Sequence, residues 1–323
     1  MTLIEVMIAM VLGILIVGGV GSLFVMGSQN YKQDEKLGRI NDELRFAMTQ
    51  IAADIEMAGY WSQLHDGIGI AEDPTLAINK DCGAPGANWI YSDRSPIEVL
   101  DAATQAQVEA RHDCLAWTDV APDTDIITIK RAYGAPSLRA GFGAAEDFDS
   151  RVENRVYFRT NGITGLLYRH LSGTPPSAVT IPAPYEDWQY TPATYFIRPY
   201  FTGTEQQPSL CRKVLEGGTP PEYESECISA GIENLQIELG VDGNLDNAVD
   251  YYTAAPDANQ TANAITARVL LLGRALDADP NYQNQKTYRL SNFGNYLPAD
   301  NFYRLMMTNT VTLRNPANLR ALN

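Results

Sequence analysis

The sequence predicts an α+β protein, a long N-terminal helix packed on an antiparallel β-sheet head. Three observations carry this. Val6 to Met26 is a run of 21 residues without a charge, enough to cross a hydrocarbon layer of about 30 Å as a helix. From Leu37 to Ala58 apolar residues recur at steps of three and four, the period of an amphipathic helix. Beyond Tyr60 the pattern changes to short apolar runs bounded by Gly, Pro, Asn and Asp, as strands and turns require.

In the helix, Leu37, Ile40, Leu44, Ala47, Ile51, Ile55 and Ala58 form one stripe. Lys36, Arg39, Asp42, Glu43, Arg45, Asp54 and Glu56 fill the other faces. Joined to the apolar run, the helix extends from about Thr2 to Ala58, about 85 Å at 1.5 Å per residue, and Gly59 is its stop signal. The alternative is two helices broken near Gly27. Gly13, Gly18, Gly19 and Gly21, with Ser22, weaken helix propensity and let a neighbouring helix approach closely, so local unwinding and small-residue packing both remain open. The chain therefore divides into 1–58, of which 1–26 is membrane-spanning and 27–58 amphipathic, and a head of 59–323.

In the head, Asp125–Lys130, Arg151–Phe158, Thr194–Arg198, Leu235–Leu239 and Ala264–Leu271 read as strands. Their connections are longer than tight hairpins, which suits an antiparallel sheet laid on the buried stripe of the helix. Four cysteines, Cys82, Cys114, Cys211 and Cys227, include no C-x-x-C pair. Two sequence-local disulfides are the simplest assignment, each contributing about 3 kcal/mol in the loop-entropy model; all three connectivities of four cysteines remain open.

Composition removes several function classes. The 323 residues carry a net charge of −15, which repels a phosphate backbone, and no nucleic-acid partner is expected. The three histidines, His65, His112 and His170, are far apart in sequence and lack metal-ligand spacing. No G-x-S-x-G, phosphate loop or dinucleotide fingerprint is present, so no catalytic residues and no cofactor are expected. Asp242, Asn244, Asp246 and Asp250 concentrate oxygen ligands and resemble the start of a calcium loop. Asn247 and Thr253 stand where an EF-hand needs Gly and Glu, and a turn rich in Asp and Asn is the alternative. Tyr185, Trp188, Tyr190, Tyr195, Phe196, Tyr200 and Phe201 form either a binding face or core packing.

Glu5 is the remaining signal. No base precedes the apolar run and no small-residue cleavage site follows it, so the segment reads as retained, not as a cleaved signal. A carboxylate at the edge of a bilayer asks for a cationic partner. Met1-Thr2-Leu3-Ile4-Glu5-Val6-Met7-Ile8-Ala9-Met10 closely resembles the start of a mature type IV pilin. That resemblance implies cleavage of a short leader by a prepilin peptidase before Met1, N-methylation at Met1 where the family usually has Phe, and pairing of Glu5 with the N-terminal amine of a neighbouring subunit. The proline common to this region of pilins is absent.

Four further phrases are similar to the PilW-like minor pilins: Thr124–Ile129; Thr194–Ile197 followed by Pro208–Arg212; Gly231–Ile237; and Gly240–Asp246. The resemblance implies a structural filament subunit that is not an enzyme. Its partners would be other pilin subunits, the pilus assembly machinery and a tip adhesin. It would reside in the inner membrane before assembly and on the cell surface after it, with roles in priming, adhesion or motility. A major pilin, a minor pseudopilin of type II secretion and a membrane-anchored adhesin are the alternatives.

Overall fold

The computed structural model describes residues 2–64, 70–84, 96–176, 180–200, 207–291 and 294–315. Met1, His65 and Phe201 lie outside these residues.

One helix, Leu3–Glu56, runs unbroken for 54 residues, about 80 Å at 1.5 Å per residue. It passes through Gly27 and the glycine band without interruption, so the two-helix alternative is not adopted. Thr2 caps the start and Met57 ends it, with its N–H on the carbonyls of Asp54 and Ile55. Gly59 follows at φ 72°, a left-handed conformation that a residue with a Cβ resists.

Three main sheets and a two-stranded hairpin follow, in place of the one sheet expected. The first sheet runs, edge to edge, Ile70–Glu72, Gly165–Arg169, Val156–Thr160, Tyr185–Tyr190, Ala132–Ala140 and Phe148–Asp149. The second runs Glu222–Ala230, Ser209–Glu216, Ala193–Arg198, Ile126–Ile129 and Ile97–Leu100. The third runs Tyr251–Thr253, Ile232–Val241, Ala264–Arg274 and Arg304–Thr312. Among the described strands pairing is antiparallel except where Ile70–Glu72 lies parallel to Gly165–Leu167, and an isolated parallel bridge joins Asn79 to Glu222.

The expected strand at Arg151–Phe158 starts only at Val156. Asn154 turns the chain at φ 64°, and the Arg151 guanidinium is held by Asp149 and Asp187 at 2.6 and 2.9 Å. Charged residues at alternate positions mimicked a strand where they serve ion pairs.

The helix stripe from Ile40 to Ala58 enters one core with Ile127, Ile129, Tyr195 and Ile197 of the second sheet and Ile237, Leu239, Val269 and Leu271 of the third. Helix and third sheet approach closely at Gly273, where an added Cβ would lie 3.0 Å from both Ile40 and Leu44 side chains. A second core under the first two sheets gathers Trp61, Phe158, Tyr190 and Phe196. Trp61 stacks on Tyr190 with ring centroids 5.6 Å apart. Tyr190, Trp188, Tyr195 and Phe196 are all buried, so most of the aromatic group forms core rather than a binding face.

Candidate functional site

Among the described residues the N-terminal half of the helix packs on nothing. Every described residue from Thr2 to Asp34 is exposed, and none of the residues in its most apolar window is buried. A fully apolar helix surface with no cover is stable in lipid or against other apolar helices, not in water. Its geometry admits two uses: spanning a bilayer and packing in a bundle.

Glu5 is the acid at the tip of this rod. Its carboxylate accepts the backbone N–H of Thr2 at 2.7 Å, and its own N–H donates to the Thr2 hydroxyl at 3.4 Å. This is a capping box, which satisfies free amides at the helix start and sets a negative charge against the positive end of the helix dipole. The carboxylate is thus oriented at the N-terminus of its own chain. Around Gly13, Gly18, Gly19 and Gly21 an added Cβ would meet nothing within 4 Å, so the band is open to a second helix. Ser22 donates to the Gly19 carbonyl at 2.8 Å.

The second half of the helix is fixed to the head by polar contacts along the stripe. Asp54, read from sequence as a surface residue, is only 6% exposed. Its carboxylate accepts from the Arg131 guanidinium at 2.9 and 2.6 Å and from the Tyr195 hydroxyl at 2.5 Å, with Arg212 at 3.9 Å. Burial and the adjacent Asp54 charge push the Tyr195 hydroxyl well above its ordinary pKa. Lower on the helix, Ser229 donates to the Glu43 carboxylate at 2.7 Å and Lys36 reaches Asp279 at 3.5 Å. At the upper end Arg314 pairs with Glu56 at 2.8 Å. Of these anchors the sequence showed only the helix side; the partners lie tens to hundreds of residues away and carried no local pattern.

The cysteines pair as Cys82–Cys114 and Cys211–Cys227. The second joins adjacent strands of the second sheet. The first ties a loop to the segment after the short helix Gln105–Arg111, beside buried His112, whose Nδ1 is 3.1 Å from the Cys82 carbonyl. Burial pulls the pKa of His112 below its ordinary value, and the same cause lowers that of His170. The two lie in different parts of the head and form no site together.

In the Asp242–Asp250 segment the candidate calcium ligands bond to their own turn. Asp242, fully buried, accepts the amides of Asp246 and Asn247, both at 3.0 Å, and Asp250 accepts the amide of Gly243 at 2.8 Å. Leu245 and Asn247 are left-handed at φ 64° and 67°. The oxygens face backbone donors of their own turn, as Asp and Asn do in such turns. Among the described residues no group of three acids, cysteines or histidines is placed to hold a metal.

Residues 194–315 match the family described as Type IV Pilus-assembly protein W. That segment spans the third sheet and three of the five strands of the second. A solved type IV-like pilin from Thermus thermophilus is similar at 11% identity with a TM-score of 0.35, covering 86% of this chain and 97% of that one. No curated protein matches the sequence. The family match covers residues 194–315 of a chain whose apolar N-terminal helix stands clear of an α+β head.

Proposed function

We propose that this chain is a structural subunit of a type IV pilus-like filament with a minor, priming role of the PilW kind. It is held in the inner membrane by residues 3–26 before assembly and by the same residues in the filament core afterwards. The observation that carries the reading is the unbroken helix whose first half is wholly exposed and whose one charge before Lys32 is Glu5. In assembly, Glu5 leaves its own cap for the N-terminal ammonium at Met1 of an adjacent subunit. The net stability of such a pair is small because both ions lose water, but a misregistered subunit leaves a charge uncompensated among apolar helices. Register and order of addition follow from that penalty. The head transfers no chemical group; its two disulfides and helix anchors hold it rigid for contact with other subunits, the assembly machinery and a tip adhesin.

Two substitutions separate charge from capping. Glu5→Gln keeps a side chain able to complete the capping box, and Glu5→Ala removes both functions. Both variants are expected in the membrane fraction at normal level, and both are expected to fall at least about tenfold in sheared filaments, since a 1.4 kcal/mol deficit already gives that factor. Normal incorporation of Glu5→Gln would sink the charge-pairing reading. Labelling of this chain in isolated filaments is expected at one end; labelling along the shaft assigns it the major role instead.

A further inference from the structure

The sheet edges of the head are not alike. Ile70–Glu72, Phe148–Asp149, Ile97–Leu100 and Tyr251–Thr253 are edge strands of two to four residues. Glu222–Ala230 is longer but engaged: Asn79 forms a bridge with Glu222 and donates its N–H to the Pro221 carbonyl at 2.9 Å. Short length, cover by another segment and charge are the usual protections of a sheet edge. Arg304–Thr312 has none of these among the described residues. It is nine residues long and runs from Leu305 to Leu313 without a charge or a proline.

The register fixes which backbone groups this edge presents. Leu313 N–H donates to the Ile265 carbonyl at 2.9 Å and Ala275 N–H to the Tyr303 carbonyl at 2.8 Å, and the pairing between them has no shift. Odd-numbered residues therefore direct their backbone groups to Ala264–Arg274. The N–H and C=O groups of Met306, Thr308, Thr310 and Thr312 point outward, and among the described residues none has a hydrogen-bond partner. All four residues are exposed. Their free groups recur about every 6.8 Å, the two-residue repeat of an extended chain, so what they accept is another strand.

Charge and direction select the strand. Odd-numbered Leu305, Met307 and Val311 pack on the helix core, and on that side an open groove runs between Met307–Asn309 and the helix residues Arg45, Met48 and Ala52. Met48 and Met307 make the groove apolar, and Arg45 is exposed beside them without an ion-pair partner. Glu56, at the far end, is held by Arg314 at 2.8 Å. The unspent charge of the groove is thus positive, on a chain of net charge −15, and its complement is a carboxylate. Leu305 lies opposite Gly273, which sits on Ile40 and Leu44, while Arg314 meets Glu56, so this strand climbs in the same sense as the helix. An antiparallel partner, the more stable pairing per residue, descends and brings its C-terminal end to Arg45. A second copy does not supply it. The other described edges are two to four residues long or engaged at Glu222, and two copies of Arg304–Thr312 anchored in one membrane run parallel.

We propose that Arg304–Thr312 takes up an extended segment of a different protein as an added antiparallel strand. Small apolar side chains of that segment lie in the groove beside Met48 and Met307, and a carboxylate near its C-terminal end meets Arg45. The added strand extends the third sheet by main-chain hydrogen bonds at Met306, Thr308, Thr310 and Thr312, and alternate side chains supply the specificity. Nothing in this contact needs Glu5 or a filament.

The test titrates the full-length chain in detergent micelles with a labelled peptide, blocked at both ends, that alternates threonine with valine and carries glutamate in place of its last two valines. Saturable binding is expected, with slowed amide exchange at Met306, Thr308 and Thr310 and no change at Met307 and Asn309. Methylating the backbone nitrogens of the threonines, which face the edge, is expected to abolish binding, and methylating those of the valines to preserve it. Thr308→Pro deletes an outward N–H that the fold does not use, a position where an edge strand tolerates proline, and is expected to weaken binding at least about tenfold. A lysine version of the peptide is expected to bind about fivefold more weakly than the glutamate version, and Arg45→Glu to reverse that order. No saturable binding of the glutamate peptide, equal binding of the two methylated forms, or an order of the charged peptides that Arg45→Glu leaves unchanged overturns the proposal. Concentration-dependent protection of the same amides without peptide gives the edge to a second copy and overturns the assignment to a different protein. Each of these failures leaves the filament reading standing, which Glu5→Gln tests separately.

Discussion

Asp125 has no exposed surface, and its two oxygens accept the amides of Ala102 at 2.9 Å and Ile237 at 2.7 Å. It ties the second sheet to the third. Burial first, and the neighbouring Asp101 as well, push its pKa up to about 7 despite the two amides that favour the anion. The ordinary aspartate value is about 3.9. The folded chain therefore holds this proton more tightly than the unfolded one. The stabilisation it contributes is complete below about pH 4 and is lost as pH rises through about 7, a span on the order of 4 kcal/mol. Urea midpoints of the detergent-solubilised chain are expected to fall between pH 4 and 7. In Asp125→Asn that component of the slope is absent, and stability is lower throughout because an amide nitrogen now faces a backbone N–H. Identical slopes in the two proteins would contradict the assignment. At this scale the sequence was informative only where chemistry stood alone, as with Glu5 in a greasy run. Asp125 and Asp54 looked like ordinary acids because burial depends on strands and arginines that sequence distance hides.

Among elements, the helix was legible because its period is local: the stripe from Leu37 to Ala58 states which face is buried before any partner is known. Strands with continuous apolar residues, such as those around Leu235 and Ala264, were legible for the same reason. Arg304–Thr312 was not, since its Thr and Asn residues lie at an open edge and bury only one face. Gly273 shows the finer fit. It stands inside the strand Ala264–Arg274 because the helix comes close there, and a Cβ would sit 3.0 Å from Ile40 and Leu44. Gly273→Val is expected to force the helix away from the third sheet and to cost about 1 to 3 kcal/mol, the range for overpacking a core. Gly273→Ala is expected to cost less, since small shifts of two flexible side chains absorb one methyl. Chemical unfolding of both variants checks the order; a Val variant as stable as the parent would mean that the contact is loose.

For the whole molecule, the helix is a lever arm whose lower half stays exposed among the described residues and whose upper half is bolted to two sheets. The apolar stretch long enough to cross a membrane lies in the first half, which has no cysteine, while the bridges Cys82–Cys114 and Cys211–Cys227 lie in the head. The division into three sheets with a parallel contact between Ile70–Glu72 and Gly165–Leu167 was invisible in sequence, because pairings nearly a hundred residues apart leave no local periodicity. The physical separation of the two halves makes their failures separable. Each bridge constrains a loop of 32 or 16 residues in sequence, worth about 3 kcal/mol apiece in the loop-entropy account. Reduction in the membrane is therefore expected to make the head cleavable by protease at several-fold lower concentration while the helix stays in the membrane pellet after carbonate washing. Release of the chain from the pellet on reduction would show that head and anchor are not independent, and unchanged cleavage would show that packing alone, without the bridges, keeps the head closed.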